Sequence, residues 1–172
     1  MEKSILQVNS RINMIFFYFN VYFVYMERTF VLIKPGILQR RLAGEVIARF
    51  ERKGLKITAL KMIRPDRALM ERHYAEHRDK VFYEKLLEYS LSGPAIAMVL
   101  EGEEAITLAR RLAGPTELLE SQPGTIRGDL AASTRKNIVH TSDSGKNAER
   151  EIKLFFKKEE ILKWEDANEV WL

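Results

Sequence analysis

His140 is the side chain in this chain best placed to do chemistry. It closes a short apolar run, Ile138-Val139, and is followed by Thr141-Ser142-Asp143-Ser144, small polar residues that can enter a helix. Upstream lie Arg110, Thr116, Arg127 and Asn137, with glycines at 114, 124 and 128. Arginines, a hydroxyl and glycine-freed backbone amides are the groups that phosphate oxygens need. There is no Walker-type glycine loop and no protein-kinase motif set. The residues alone therefore leave two readings about level. One is a histidine fed by a basic, glycine-rich phosphate loop. The other is a histidine merely satisfied at a strand end. His73 and His77 stand four apart, a spacing that can bring two metal ligands onto one helix face. The zinc-protease pattern needs Glu directly after the first His, and Tyr74 stands there. Their neighbours Glu71, Arg72, Glu76 and Arg78 indicate a solvated face, so we read both histidines as surface residues.

The elements that must position these groups are legible in outline. Thr29-Phe30-Val31-Leu32-Ile33 is a buried strand stopped by Lys34-Pro35-Gly36. Leu42, Val46, Ile47 and Phe50 recur at helical spacing, with Gly54 as the C-terminal cap. Residues 55–62 alternate and predict a half-buried strand. Asp66 caps a helix through about His77, and a second helix covers residues 81–89. Residues 95–100, AIAMVL, form a strand buried on both faces. A helix over 103–113 has acids at its start and Arg110-Arg111 at its end. Residues 114–130 read as a long ordered loop. Residues 137–140 give a fourth strand, Ser144 caps a helix through about Phe156, and a short helix covers 158–162. The order predicts an α+β fold, a ferredoxin-like βαββαβ sandwich with a four-stranded antiparallel sheet covered by helices.

Composition narrows the function classes. The chain has 172 residues and a formal charge of +4, consistent with one domain and with anionic partners. It has no cysteine, which excludes disulfides, thiolate metal sites and cysteine nucleophiles. Residues 12–26, INMIFFYFNVYFVYM, are too short and too asparagine-bearing for a spanning helix, and no small-residue cleavage site follows. Residues 1–25 are rich in Phe, Tyr, Ile, Asn, Lys and Met, unlike the Ala-, Gly-, Arg- and Leu-rich body. We therefore expect residues 1–25 to be an N-terminal extension, non-native or disordered, and Met26 to be the natural start of a domain over 26–172.

Four separated segments carry a family resemblance. NIVHTSDS at 137–144 is similar to the active-site segment of nucleoside diphosphate kinases. PGTIRGD at 123–129 resembles that family's phosphate-binding loop, VLIKP at 31–35 its first strand and lysine, and SGPAIAMVLEG at 92–102 its central strand. Their spacing fits without gaps from about Glu27 to the C-terminus.

The resemblance implies transfer of the γ-phosphate of a nucleoside triphosphate, mainly ATP, to nucleoside diphosphates. The route is ping-pong, through a phosphohistidine on His140 Nδ1. It gives Glu151 and Ser142 the task of orienting His140, and it places Tyr74 close to the transferred phosphate. Arg110, Thr116 and Arg127 resemble ligands of the phosphates. Lys34 and Asn137 resemble the pair that grips the ribose hydroxyls, with Lys34 also near the phosphate. Phe82 resembles the aromatic that stacks on the base, beside Leu86. Mg²⁺ is implied as cofactor, bridged through phosphates with no dedicated protein ligands. A homo-oligomer follows, hexamer before tetramer, since residues 161–172 resemble the longer tail of hexameric members, with Trp171 an interface anchor. A cytoplasmic location and no membrane partner follow too. The chain departs from the family pattern at Gly36, usually Asp, where glycine is expected to serve as an N-cap. It departs also at Arg41 and Arg135, often Gly, at Thr134, often Val, and at Thr141. An RNA-binding sheet shares the βαββαβ order, but its aromatic strand motif is absent. Nucleic acid stays in view only as a secondary partner.

Overall fold

The computed structural model describes residues 26–167. The predicted extension over 1–25 and the anchor Trp171 lie outside the described residues. Four strands form one antiparallel sheet in the order β2-β3-β1-β4: β1 is Met26–Ile33, β2 Lys56–Ile63, β3 Ala95–Glu103 and β4 Val139–Thr141. The α+β, ferredoxin-like expectation holds. The two central strands are those with unbroken apolar runs, as burial on both faces requires.

The alternation of β1 divides the core. Val31 and Ile33 point to one face, where they meet Val46 and Phe50 of α1 (Ala43–Arg52) and Ala105, Ala109 and Ala113 of α4 (Ala105–Ala113). Phe30 and Leu32 point to the other. They meet Met70 of α2 (Arg67–His73), Leu87 of α3 (Tyr83–Leu91) and Ile152 and Phe155 of α6 (Gly145–Phe155). The three alanines of α4 allow that helix to lie close over β1. Leu32 pairs with His140 in the β1–β4 register, so His140 faces the α6 side of the sheet.

Several boundaries differ from the sequence reading. Gly36 is not an N-cap: it sits in a turn at φ +95°, and α1 starts only after Leu42. Arg41 occupies φ +57°, the left-handed region in which glycine is at ease. β3 runs on to Glu103, so the acids sit at the strand end rather than in the helix. The helix expected to reach His77 ends at His73 and continues as a 3₁₀ turn over Ala75–His77. β2 carries a bulge between Ile57 and Ala59, which shifts its phase and leaves Leu60 and Met62 exposed. After a 3₁₀ turn over Lys158–Glu160 the chain runs along this edge, with Leu162 N donating to Thr58 O at 2.8 Å. No helix among the described residues is long and apolar enough to cross a membrane.

The long loop before β4 is ordered by its own contacts. It contains a 3₁₀ turn over Leu118–Glu120 and a short helix α5, Ile126–Leu130, capped by Thr125, whose side chain accepts from Gly128 N. A Cβ on Gly128 would meet the carbonyl oxygen of Gln122 at 2.1 Å. Backbone cannot yield there as a side-chain tip could. We expect Gly128→Ala to lower stability by about 1–3 kcal/mol, read as a lower urea midpoint at unchanged slope; an unchanged midpoint would show that the loop closes less tightly.

Candidate active site

Two adjoining lobes of one cleft open beside β4. The smaller, about 380 Å³, is lined by Lys34, Tyr74, Phe82, Leu86, Thr116, Arg127, Asn137 and His140, among others. The larger, about 680 Å³, shares His77, Thr116, Arg127 and His140 and adds Arg110, Asp143, Asn147 and Glu151. Ser142 lies just behind, fully buried. The structure thus brings together every residue that the resemblance implies for catalysis or nucleotide binding.

His140 is held from one side. Its Nε2 lies 2.9 Å from Glu151 Oε1, and the Ser142 hydroxyl donates to Glu151 Oε2 at 2.5 Å. Beside a carboxylate oxygen, a neutral imidazole donates from Nε2, which leaves the Nδ1 lone pair unprotonated. Burial, then the charges of Lys34 and Arg127, hold the His140 pKa well below its ordinary value, so the ring is neutral at physiological pH. Burial pushes the Glu151 carboxyl up, and the Ser142 hydroxyl pulls it back. The sequence explains this assembly. Ser144 caps α6 through Asn147 N, and Glu151, seven residues after the cap, lies two turns along on the buried side.

His73 is the residue that sequence reasoning placed wrongly. It is 1% exposed, not a surface residue. Its ring stands edge-on to His140 with centroids 4.5 Å apart, and its Nδ1 is 3.7 Å from Glu151 Oε1. Neither of its ring nitrogens has a hydrogen-bond partner. Met70, His73 and Tyr74 share the buried face of the α2 turn, a spacing that the flanking charges outweighed. Only His77 is solvated, its side chain being 38% exposed.

Two of the cleft's cations, Lys34 and Arg127, are buried as well, while Arg110 is exposed. Lys34 is 4% exposed, and its Nζ donates to Asn137 Oδ1 at 2.9 Å. Burial and then Arg127 lower its pKa to about 7. Arg127 donates to the carbonyls of Gly114 and Val139, and burial followed by Arg110 lowers it to about 10. Between Asn137 and Val139, Ile138 adopts φ +60°, a strained conformation for a β-branched residue. In that conformation its carbonyl accepts from Lys34 N at 2.8 Å. Phe82, 52% exposed, and Leu86 form the outer end of the smaller lobe. Chemically, the cleft offers an unprotonated ring nitrogen, concentrated positive charge and an apolar mouth.

Removing one donor tests how the carboxylate is held. Ser142→Ala should cost about 1.5–3 kcal/mol, as expected for a hydrogen bond to a charged group, and should raise the Glu151 pKa further. Denaturant unfolding measures the first and carboxyl titration by NMR the second; no change in either would mean that Ser142 is dispensable to Glu151.

Comparison with known proteins places this geometry. The family model described as nucleoside diphosphate kinase matches residues 27–161. A nucleoside diphosphate kinase of Archaeoglobus fulgidus is 55% identical over 147 residues, covering 86% of this chain and 97% of that protein. One from Listeria monocytogenes is 51% identical, covering 86% of this chain and 100% of the other. Among solved structures, the Halobacterium salinarum nucleoside diphosphate kinase in complex with CDP superposes with a TM-score of 0.82 at 43% identity, over 86% of this chain and 98% of that one. The chain belongs to the nucleoside diphosphate kinase family.

Proposed function

We propose that this member of a family of phosphate-transferring enzymes works through His140, whose Nδ1 takes the γ-phosphoryl group of a nucleoside triphosphate and passes it to a nucleoside diphosphate. The observation that carries this reading is the 2.9 Å contact of His140 Nε2 with Glu151, which leaves the other ring nitrogen to the cleft. The Nδ1 lone pair forms a bond to the γ-phosphorus as the bond to the β,γ-bridging oxygen breaks, and the diphosphate leaves with that electron pair. The positive charge that develops on the ring is met by the Glu151 carboxylate. An incoming diphosphate reverses the step.

Positioning and charge do most of the work in phosphoryl transfer. Arg110, Thr116 and Arg127 take the phosphate oxygens, and Lys34 with Asn137 takes the ribose, with Lys34 and Tyr74 also beside the transferred group. Phe82 and Leu86 hold the base by its face, which every base presents. Magnesium prefers oxygen ligands and keeps several waters. Mg²⁺ would come with the nucleotide, without a dedicated protein ligand, and would supply neutralisation of the phosphate charge. The exposed Leu60 and Met62 on edge strand β2 support assembly into an oligomer, and the resemblance of residues 161–172 to the longer tail of hexameric members favours a hexamer before a tetramer. The family match beginning at Glu27 supports a natural start at Met26, and the pools of nucleotide substrate favour a cytoplasmic location.

Incubation with γ-labelled ATP should give an acid-labile, base-stable phosphoprotein in the wild type and none in His140→Ala; equal labelling would end this reading. Lys34 supplies a second test. With a pKa of about 7 it is mostly neutral at pH 8, and a bound phosphate raises its pKa and recharges it. Nucleotide binding at pH 8 should therefore take up about one proton, seen as a dependence of binding heat on buffer ionisation enthalpy. A buffer-independent heat would show that Lys34 stays as it was. Native mass spectrometry of the protein from its own cells reads subunit mass and stoichiometry together. A chain starting at Met26 in a hexamer is expected, and a chain carrying residues 1–25, or a stable monomer, contradicts the corresponding part.

A further inference from the structure

We propose that His73, His140 and Glu151 form a site for a borderline divalent cation of the Zn²⁺ type, and that filling it switches phosphoryl transfer off. One ligand atom from each of the three residues lies within 4.8 Å of the others. Tetrahedral zinc at ~2.0–2.1 Å from each ligand separates neighbouring ligand atoms by about 3.4 Å. The observed separations from Glu151 Oε1, 2.9 Å to His140 Nε2 and 3.7 Å to His73 Nδ1, bracket that value.

His73 is what makes the cluster more than an oriented histidine. It is 1% exposed, neither ring nitrogen has a hydrogen-bond partner, and the transfer chemistry gives it no task. Phe30, Tyr74 and Phe155 surround it with rings. A buried imidazole nitrogen with no hydrogen-bond partner, 3.7 Å from a carboxylate oxygen, is a metal ligand in waiting once its lone pair is turned to the ion. His140 and Glu151 both line the larger lobe, which gives an ion a way towards them.

The surroundings choose the ion. Arg150 Nη2 lies 3.5 Å from Glu151 Oε1 and has to turn outward, which its 38% exposed side chain allows. Lys34 and Arg127 also oppose added positive charge. Two imidazoles therefore favour zinc-like ions, and Mg²⁺, which wants oxygens, is refused. The ion takes the electron pair of His140 Nε2 as the ring's single proton moves, through water, from Nε2 to Nδ1. The ring stays a neutral imidazole, and the protonated Nδ1 has no lone pair left to attack phosphorus. This last consequence rests on His140 being the phosphoryl acceptor; the binding itself does not.

The chain has three histidines, which makes the ring C–H resonances a direct readout. Zn²⁺ alone is added to metal-free, nucleotide-free protein. At one equivalent, the His73 and His140 signals should move together while His77 stays. His73→Gln should weaken binding by roughly 100-fold or more, with its melting curve showing that it is folded. With excess Mg²⁺ and γ-labelled ATP, Zn²⁺ should cut labelling about tenfold or more in the wild type but not in His73→Gln. A chelator selective for zinc should restore it. Shifts confined to His77, no shifts at all, or equal affinity in folded His73→Gln would overturn the site. Binding at His73 and His140 with full labelling would overturn the switch alone. Failure of the metal-free protein to label at His140 would instead count against the phosphohistidine reading.

Discussion

The hydrogen bond between His140 and Glu151 is the constraint around which the cleft is arranged. A carboxylate 2% exposed is tolerable only when its oxygens are paired. Three elements converge to pair it. β4 brings His140 beside Leu32 of β1, the segment after it turns Ser142 inward, and α6 carries Glu151 back across both. Ser142 N also donates to Phe30 O, which fixes the turn to the central strand. The pairing decides which ring nitrogen is presented to the cleft and keeps the ring from rotating.

The second organising feature is a pair of buried basic groups. Lys34 and Arg127 are both buried, and each lowers the pKa of His140. Burying such groups opposes folding, and an anionic ligand offsets that opposition. Strain is stored in the same place: Ile138 at φ +60° costs about 1–3 kcal/mol. That conformation aims one carbonyl at Lys34 N and lets Asn137 reach Lys34 Nζ. Buried basic groups and a strained backbone thus sit side by side in the free protein.

Much of this was legible in the residues. The unbroken apolar runs of β1 and β3 marked the sheet centre, because only strands covered on both faces read that way. Asp66 and Ser144 marked helix starts, because their side chains cap in the observed geometry. Other features were hidden for physical reasons. The bulge at Ile57 changes the phase of β2 without any glycine or proline to announce it. The left-handed turn at Arg41 uses a residue that pays for a conformation better suited to glycine. His73 was masked by charged neighbours on the helix face opposite its own, and its partners, His140 and Glu151, lie 67 and 78 residues along the chain. Contacts over such separations are fixed by topology, which a local pattern does not display.

The central claim is that Nδ1 of His140 is the reactive atom because Glu151 occupies Nε2. Phosphorylation of ¹⁵N-histidine-labelled protein by ATP, followed by ³¹P–¹⁵N coupling measurements, identifies the nitrogen that bears phosphorus. The account predicts a single phosphorus bonded to Nδ1 of His140. Phosphorus on Nε2, or on another residue, would contradict it.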